Sequence, residues 1–344
     1  MTPTIKEVAK KAKVSTATVS RVLNKSGAVA EETRKIVLAV ARELRYVPNA
    51  TGRSLSMQRT DAIGLLMPDL YGEFFSEVIR GTDQTAQKNH FHILVSSSHN
   101  DRHEIWRALE MMRGRVDGLI IMSPHIDAQT LDSHLPKSLP VVLLNCYVDG
   151  ASFDVLNIDN FNGACGMMVH LAQHGYKRIA FIKGTEKNYD AEERLRGYRA
   201  AVNEYGLERY SSYEVKGNFS EESGYDAAHI IMKCSPRPTA IFAANDSMAI
   251  GALSALRQQG VNVPADIALV GFDDIPIAQF IRPALSSVRV RISELGRLAI
   301  ERIVHAIKEK NTHEKHRIIV PTTVIARESC GCTGAKHSFL NKQN

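Results

Sequence analysis

The chain has 344 residues, of which 44% are hydrophobic, 23% charged and 6% aromatic, with 22 glycines and 12 prolines. This composition excludes a disordered, collagen-like or disulfide-stapled chain, and the length suggests two or three domains, each able to bury a core. The net charge of +6 is concentrated at one end: residues 1–60 hold twelve lysines and arginines against four acids, whereas the other 284 residues hold 31 against 33. A compact basic segment on a near-neutral body reads as a polyanion-binding headpiece on a separate domain. Within it, Thr4 and Glu7 form a capping box, after which Ile5, Val8, Ala9 and Ala12 share one helical face. Lys13-Val14 makes a tight turn, and Ser15 caps a second helix with Val19, Val22 and Leu23 on one side. At ~100° per residue, Ala17, Arg21 and Asn24 fall on the opposite side, with Thr16 and Ser20 at its margins. A third helix, from about Glu31 to Leu44, adds Val37, Val40 and Leu44 to a small core. Two short helices joined by a tight turn, the second presenting small polar residues and an arginine away from the core, make a helix-turn-helix. Such a helix fits a major groove, where Arg21 reaches guanine edges while Ser and Thr contact phosphate or base.

From Asp61 onward, short apolar runs alternate with longer helix-like stretches. The predicted strands are Ala62–Met67, His92–Val95, Gly118–Met122, Val141–Leu144, Ile179–Ile182, Ala240–Ala243 and Ile267–Val270. Runs this apolar, separated by amphipathic segments, argue for parallel sheets covered by helices on both faces. Some ten such units in ~280 residues favour two lobes over one sheet.

The segments Ile5-Lys6-Glu7-Val8-Ala9 and Val14-Ser15-Thr16-Ala17-Thr18-Val19-Ser20-Arg21-Val22-Leu23-Asn24 closely resemble the LacI/GalR family of bacterial repressors. Tyr46-Val47-Pro48-Asn49-Ala50-Thr51-Gly52-Arg53-Ser54-Leu55 resembles that family's hinge. The likeness runs to about Ser329. It implies an all-α helix-turn-helix domain over 1–46, a hinge helix and linker over 47–60, and a two-lobed, periplasmic-binding-protein-like α/β effector and dimerisation body over 61–329. Residues 330–344 would then be a flexible tail. It also implies three crossings between lobes, near Asp159, Val288 and His316. DNA contacts would come from Ser15, Thr16, Ala17, Thr18, Ser20, Arg21 and Asn24 in the headpiece. Asn49, Arg53 and Leu55 would serve in the hinge, Leu55 as an apolar wedge in the minor groove. Two positions depart from the family: Lys13 stands where Gly is usual in the turn, and Gly52 where Ala is usual in the hinge helix. The Gly makes hinge folding weaker and more dependent on DNA.

For a ligand between the lobes, the resemblance carries over Phe74, Phe75, Asn145, Arg194, Phe219, Asn245 and Asp273, with Asn145 where family members often have Asp. Read from the residues alone, Phe74 and Phe75 supply an apolar wall or serve the core, and the polar residues after strands bind hydroxyls or cap helices. Asp246 is the natural cap of the helix after Ala240–Ala243, and Arg196 a solvated neighbour of Arg194. The expected partners are a pseudo-palindromic double-stranded operator, a second copy of the chain in a homodimer, and a small effector. A pentose or hexose fits first, and a purine, a nucleoside or a protein coregulator stands as the alternative.

Other classes find little support. There is no Walker A motif, no strand-linked G-x-G-x-x-G and no G-x-S-x-G elbow, so an enzyme is not expected. His313-Glu314-Lys315-His316 lacks the i, i+4 histidine spacing of zinc helices, and Cys330-Gly331-Cys332 is C-x-C without a second pair, so neither a metal nor a cofactor is expected. The five cysteines, an odd and scattered set, fit reduced thiols. No apolar run reaches the ~18–20 residues that span a bilayer, and the N-terminus lacks a signal peptide's apolar stretch. A cytoplasmic protein without membrane contact is therefore expected. A solute-binding protein would share the body but not the basic headpiece.

Overall fold

A computed structural model describes residues 3–24, 26–46, 59–123, 126, 131, 134–146, 148, 153–309 and 313–332. The hinge residues Asn49, Gly52, Arg53 and Leu55 lie outside them. The chain divides into two compact units, 1–60 and 61–344.

In the first unit, α1 (Ile5–Ala12) begins with the predicted capping box: the Glu7 amide donates to Thr4 Oγ1, and the Thr4 amide donates to Glu7 Oε2 at 2.6 Å. Lys13 ends the helix in the left-handed region at φ 52°, a conformation that favours glycine, which gives the family's usual residue there a physical reason. The N-cap of α2 (Thr16–Leu23) is Ser15, and α3 (Glu31–Glu43) crosses both helices. Val8, Ala9, Ala12, Val19, Val22, Val37 and Ala41 form the core. Ala41 takes the fully buried place expected of Val40 and Leu44, which pack at its edge.

The body contains two six-stranded sheets. The first has the order β11-β5-β4-β3-β1-β2, from β1 (Ala62–Met67), β2 (His92–Ser97), β3 (Gly118–Met122), β4 (Val141–Leu144), β5 (Asp154–Ile158) and β11 (Arg317–Val320), all parallel. Its helices are α4 (Glu73–Lys88), α5 (Arg102–Met112) and α10 (Ile292–Lys308). Both faces are covered. On β3 and β4, Leu119, Ile121, Val141 and Leu143 pack toward α5, while Ile120, Met122, Val142 and Leu144 join the core on the other side. Burial on both faces is why these strands read as unbroken apolar runs.

The second sheet has the order β12-β10-β9-β8-β6-β7, from β6 (Ile179–Ile182), β7 (Glu214–Val215), β8 (Ala240–Ala243), β9 (Ala268–Asp273), β10 (Ser286–Arg289) and β12 (Thr323–Ile325). Its helices are α6 (Asn160–Gln173), α7 (Tyr189–Glu204), α8 (Glu221–Ile231) and α9 (Asp246–Gln258). All pairings are parallel except β10 with β12, so the sheets are parallel as expected, with one antiparallel edge strand. The chain passes between sheets at Asp159, after β10, and between β11 and β12. The last passage is at Pro321-Thr322 and not near His316, because Arg317–Val320 still pairs with β5.

The expected tail boundary also shifts. Glu328–Cys330 is a 3-10 turn in which Ser329 and Cys330 are buried at 1% and 0% exposure, so packing continues past residue 329. No described helix is long and apolar enough to cross a membrane.

Candidate functional site

On α2, Thr16, Ala17 and Arg21 are exposed, and Thr18, Ser20 and Asn24 half-buried. The Ser15 hydroxyl accepts from the Thr18 amide at 3.1 Å and lies 2.9 Å from Thr18 Oγ1. Asn24 Nδ2 donates to Ser20 Oγ at 3.2 Å, so this end of the helix is braced by its own polar side chains. The core residues Val19 and Val22 hold the helix from behind and leave the Thr16–Ala17–Arg21 edge outward.

Between the two sheets lies a cleft of about 310 Å³. It opens at the C-terminal strand ends, where open α/β sheets hold ligands. Phe74, Phe75, Asn145, Arg194, Phe219, Asn245 and Asp273 all line it. Three of them hold left-handed backbone: Asn145 at φ 49°, Phe219 at 73° and Asp273 at 103°. Strained residues at one cavity are a mark of a site whose geometry outranks local comfort.

Arg194, in the second turn of α7, is 3% exposed and its guanidinium is held on three sides. Nε donates to Asn160 Oδ1 at 2.7 Å, Nη1 to the Ala244 carbonyl at 2.6 Å, and Nη2 pairs with Asp273 Oδ1 at 3.0 Å. Its carbon Cζ stacks 3.8 Å from the Phe272 ring centroid. Burial pushes the Asp273 carboxyl up to about 6 against the pull of Arg194, with the Asp190 charge adding to the rise.

Asn145 follows β4, is 5% exposed, and neither atom of its amide has a well-formed hydrogen bond. Phe74 and Phe75 meet edge to face at 5.5 Å, and both border the core as well as the cleft. The Phe219 ring rests over Gly184, where a Cβ would stand 2.2 Å from the ring's Cζ. The N-cap of α9 is Asn245: its Oδ1 accepts from the Met248 amide and its Nδ2 donates to the Phe219 carbonyl, both at 3.0 Å.

Asp246 is therefore not the cap. It turns inward, fully buried, accepting from the Ile275 amide at 2.8 Å and Ser287 Oγ at 2.6 Å, in space left by the missing Cβ of Gly271. Burial, with the neighbouring charges of Asp273 and Asp274, drives its carboxyl well above the usual range. Asp274 leaves the cleft to pair with Arg289 and Arg327, both at 2.6 Å. Arg196 is exposed, as expected, paired with Glu193.

Asp190 is a cleft residue that the sequence concealed. It looks like an ordinary acid in a first helical turn, yet it stands four residues before Arg194, on the same face of α7. Its Oδ1 accepts from Asn160 Nδ2 at 2.7 Å. Burial pushes its carboxyl up, with the Arg194 charge and the Asn160 and Asn145 amides opposing. Asn160 thus bridges Asp190 and Arg194 from the first residue of α6, directly after the passage between lobes.

Residues 4–49 match the profile of bacterial regulatory proteins of the lacI family, and residues 168–330 that of a periplasmic binding protein-like domain. The chain is 35% identical over 332 residues to the ribose operon repressor of Haemophilus influenzae, covering 95% of this chain and 98% of that protein. It is 34% identical over 326 residues to the HTH-type transcriptional repressor PurR of Pasteurella multocida, covering 94% and 98%. A solved lac repressor dimer bound to operator and the anti-inducer ONPF superposes with a TM-score of 0.85 at 26% identity, over 96% of this chain and 99% of that one. A basic helix-turn-helix, a two-lobed body with a polar cleft and likeness over nearly the whole length agree. The chain belongs to the lacI family of bacterial regulatory proteins and is a DNA-binding transcriptional repressor with an effector-binding domain, not an enzyme.

Proposed function

We propose that this repressor acts in the cytoplasm as a homodimer on a pseudo-palindromic operator, under the control of a neutral pentose or hexose held in the cleft. The observation that carries the sugar reading is the lining. It contains Asp69, Glu73, Glu186, Asp190, Glu221 and Asp273 against the single cation Arg194, beside the amides of Asn145 and Asn245 and the rings of Phe74, Phe75 and Phe219. A hydroxyl donates to a carboxylate and accepts from an amide or guanidinium, so this mixture suits a polyol, and the rings cover its C–H faces. The excess of acids repels a phosphorylated or carboxylate ligand. A volume near 310 Å³ is at the small end of ligand sites and suits one ring.

The ribose operon repressor supports the same reading. A purine or nucleoside is the second reading, favoured by the PurR relative and by the aromatic wall. In the headpiece, Arg21 reads base edges, while Ser15, Thr16, Ala17, Thr18, Ser20 and Asn24 meet phosphate or base. Asn49, Arg53 and Leu55 serve the minor groove. Exposed Leu70, Tyr71, Ile277 and Phe280 support pairing of two copies: they sit on neighbouring loops of the two lobes, joined where the Ile277 amide donates to Glu73 Oε2 at 3.0 Å. Asn160 is the relay, because a ligand pulling on Asp190 or Arg194 also pulls on the segment joining the lobes. Coupling of ~1–3 kcal/mol is typical of such arrangements.

The test is a thermal-shift screen of the full chain against unphosphorylated sugars, sugar phosphates, nucleosides and purines, followed by operator binding with and without the hit. A ligand at ~100 times its dissociation constant stabilises by ~2.7 kcal/mol. A sugar hit supports the reading, a purine hit replaces it with the second, and no hit in the panel overturns both in favour of a protein coregulator. Operator affinity must also fall with salt, because phosphate contacts release counterions.

A further inference from the structure

Away from the cleft, the second lobe gathers two histidines and two cysteines. His170 lies in the last turn of α6 and His174 caps its C-terminus, their ring centroids 4.3 Å apart. Cys330 ends the 3-10 turn Glu328–Cys330, and Gly331, at φ 89°, reverses the chain so that Cys332 returns to the same rings.

His170 Nε2 is 3.2 Å from Cys330 Sγ and 3.8 Å from Cys332 Sγ, and His174 Nε2 is 3.2 Å from Cys332 Sγ. The ligand atoms of His170, Cys330 and Cys332 all lie within 4.8 Å of one another. With Zn–S about 2.3 Å and Zn–N about 2.0–2.1 Å, the atoms of a tetrahedral N₂S₂ set stand about 3.5 Å apart. His170, Cys330 and Cys332 lie within range of such a set, and His174 Nε2 stands beside them, 3.2 Å from Cys332 Sγ.

The surroundings hold it in place. His174 Nδ1 lies 2.8 Å from the His170 carbonyl, and donating its proton there leaves Nε2 bare on the side of Cys332. Tyr176 Oη donates to the Cys330 carbonyl at 3.2 Å, and Ser329 Oγ donates to the Leu269 carbonyl and accepts from the Ser286 amide. The C-x-C segment is therefore a packed turn, which overturns its reading as a loose tail.

We propose that His170, Cys330 and Cys332 form a zinc site that clasps the C-terminal turn to α6, with the neighbouring His174 closing on the metal as the fourth ligand. Two thiolates and two neutral imidazoles suit Zn²⁺ in kind and geometry, and together they neutralise its charge, as a half-buried site requires. The two thiol protons leave to solvent on binding.

The test uses the reduced, metal-stripped full chain, titrated with Zn²⁺ against a chromogenic chelator and separately with Co²⁺ as a spectroscopic probe. The expected result is one Zn²⁺ per chain, thiolate-to-cobalt charge transfer with tetrahedral bands, and a melting midpoint raised by zinc. Cys332→Ser, an isosteric change on a half-exposed side chain, lowers zinc affinity by more than about tenfold and abolishes the midpoint shift. Uptake unchanged in the Cys332→Ser/His174→Ala double variant, an octahedral cobalt spectrum without thiolate bands, preference for Cu⁺ over Zn²⁺, or no uptake with both thiols reduced would each overturn the assignment.

Discussion

Arg194 and Asp273, both lining the cleft, pair at 3.0 Å with side chains only 3% and 6% exposed, so each offsets part of the other's cost of leaving water. Breaking such a pair leaves a buried charge and costs about 3–5 kcal/mol. Arg194→Met should lower stability at neutral pH by that order and abolish the ligand response. Asp273 also sets a pH dependence. Its folded value, about 6, lies above the ordinary 3.8, so its contribution to stability is fully present below the ordinary value and is lost as pH rises through about 6. In Arg194→Met the carboxyl rises further and the loss grows. Denaturant unfolding from pH 4 to 8 measures both, and parallel curves for the two proteins would show that Arg194 does not govern Asp273.

A second buried carboxylate titrates in the opposite direction. Asp154, at the start of β5, accepts from His313 Nε2 at 2.6 Å, Arg302 Nη2 at 2.7 Å and the His316 amide at 3.0 Å. Burial opposes its charge, yet these donors together hold the carboxyl below the ordinary range. The stability it supplies is present above the ordinary value of 3.8 and is lost as pH falls through the depressed one. Asp154→Asn takes the carboxylate charge away from Arg302 and His313, so a loss of about 3–5 kcal/mol is expected at pH 7. The difference from the unaltered chain should shrink in strong acid. Melting midpoints at pH 7 and pH 3 test this, and an equal gap at both would remove Asp154 from the account.

These two carboxylates also mark how far the sequence could be read. Strands with both faces buried announced themselves as apolar runs, Gly118–Met122 and Val141–Leu144 among them. In contrast, β5, β10 and β11 did not, because Asp154, Ser286, Ser287 and Arg317 interrupt the pattern. Their polar atoms are satisfied by distant residues: Asp154 by Arg302, and Ser287 by Asp246 at 2.6 Å. Such partners are 148 and 41 residues away in the chain, and no local pattern encodes them. The cleft residues that the family likeness supplied all reached the cleft, whereas Asp190 stayed hidden behind an ordinary helix start. Cys330 and Cys332 read as a tail because their histidine neighbours lie some 160 residues upstream.

Gly184 gives a way to move Phe219 without mutating it. A Cβ there would stand 2.2, 2.6 and 2.8 Å from three atoms of the Phe219 ring, which must swing aside. Gly184→Ala is expected to cost about 1–3 kcal/mol of stability, as overpacking does, and to weaken effector binding as strongly as Phe219→Ala. Calorimetric titration of both variants decides the matter. Full affinity in Gly184→Ala alongside a measurable stability loss would mean that the ring does not touch the ligand.

In the headpiece, fold and contact can be separated because Ser15 and Arg21 do different work on one helix. Ser15 caps α2, so Ser15→Ala should destabilise the headpiece by about 0.5–2 kcal/mol and weaken operator binding through the fold. Arg21 is exposed and supports no core residue, so Arg21→Ala should leave the melting transition of the headpiece in place. If Arg21 pairs with a guanine, operator affinity falls by about 1–3 kcal/mol and discrimination at that base pair relaxes. If instead it holds a phosphate, affinity falls equally for every sequence and the salt slope drops by about one. Operator titrations at several salt concentrations, on the cognate site and on single-base variants, separate the two. A uniform loss would move the base-reading role from Arg21 to the neighbouring Thr16–Ala17 edge of the helix.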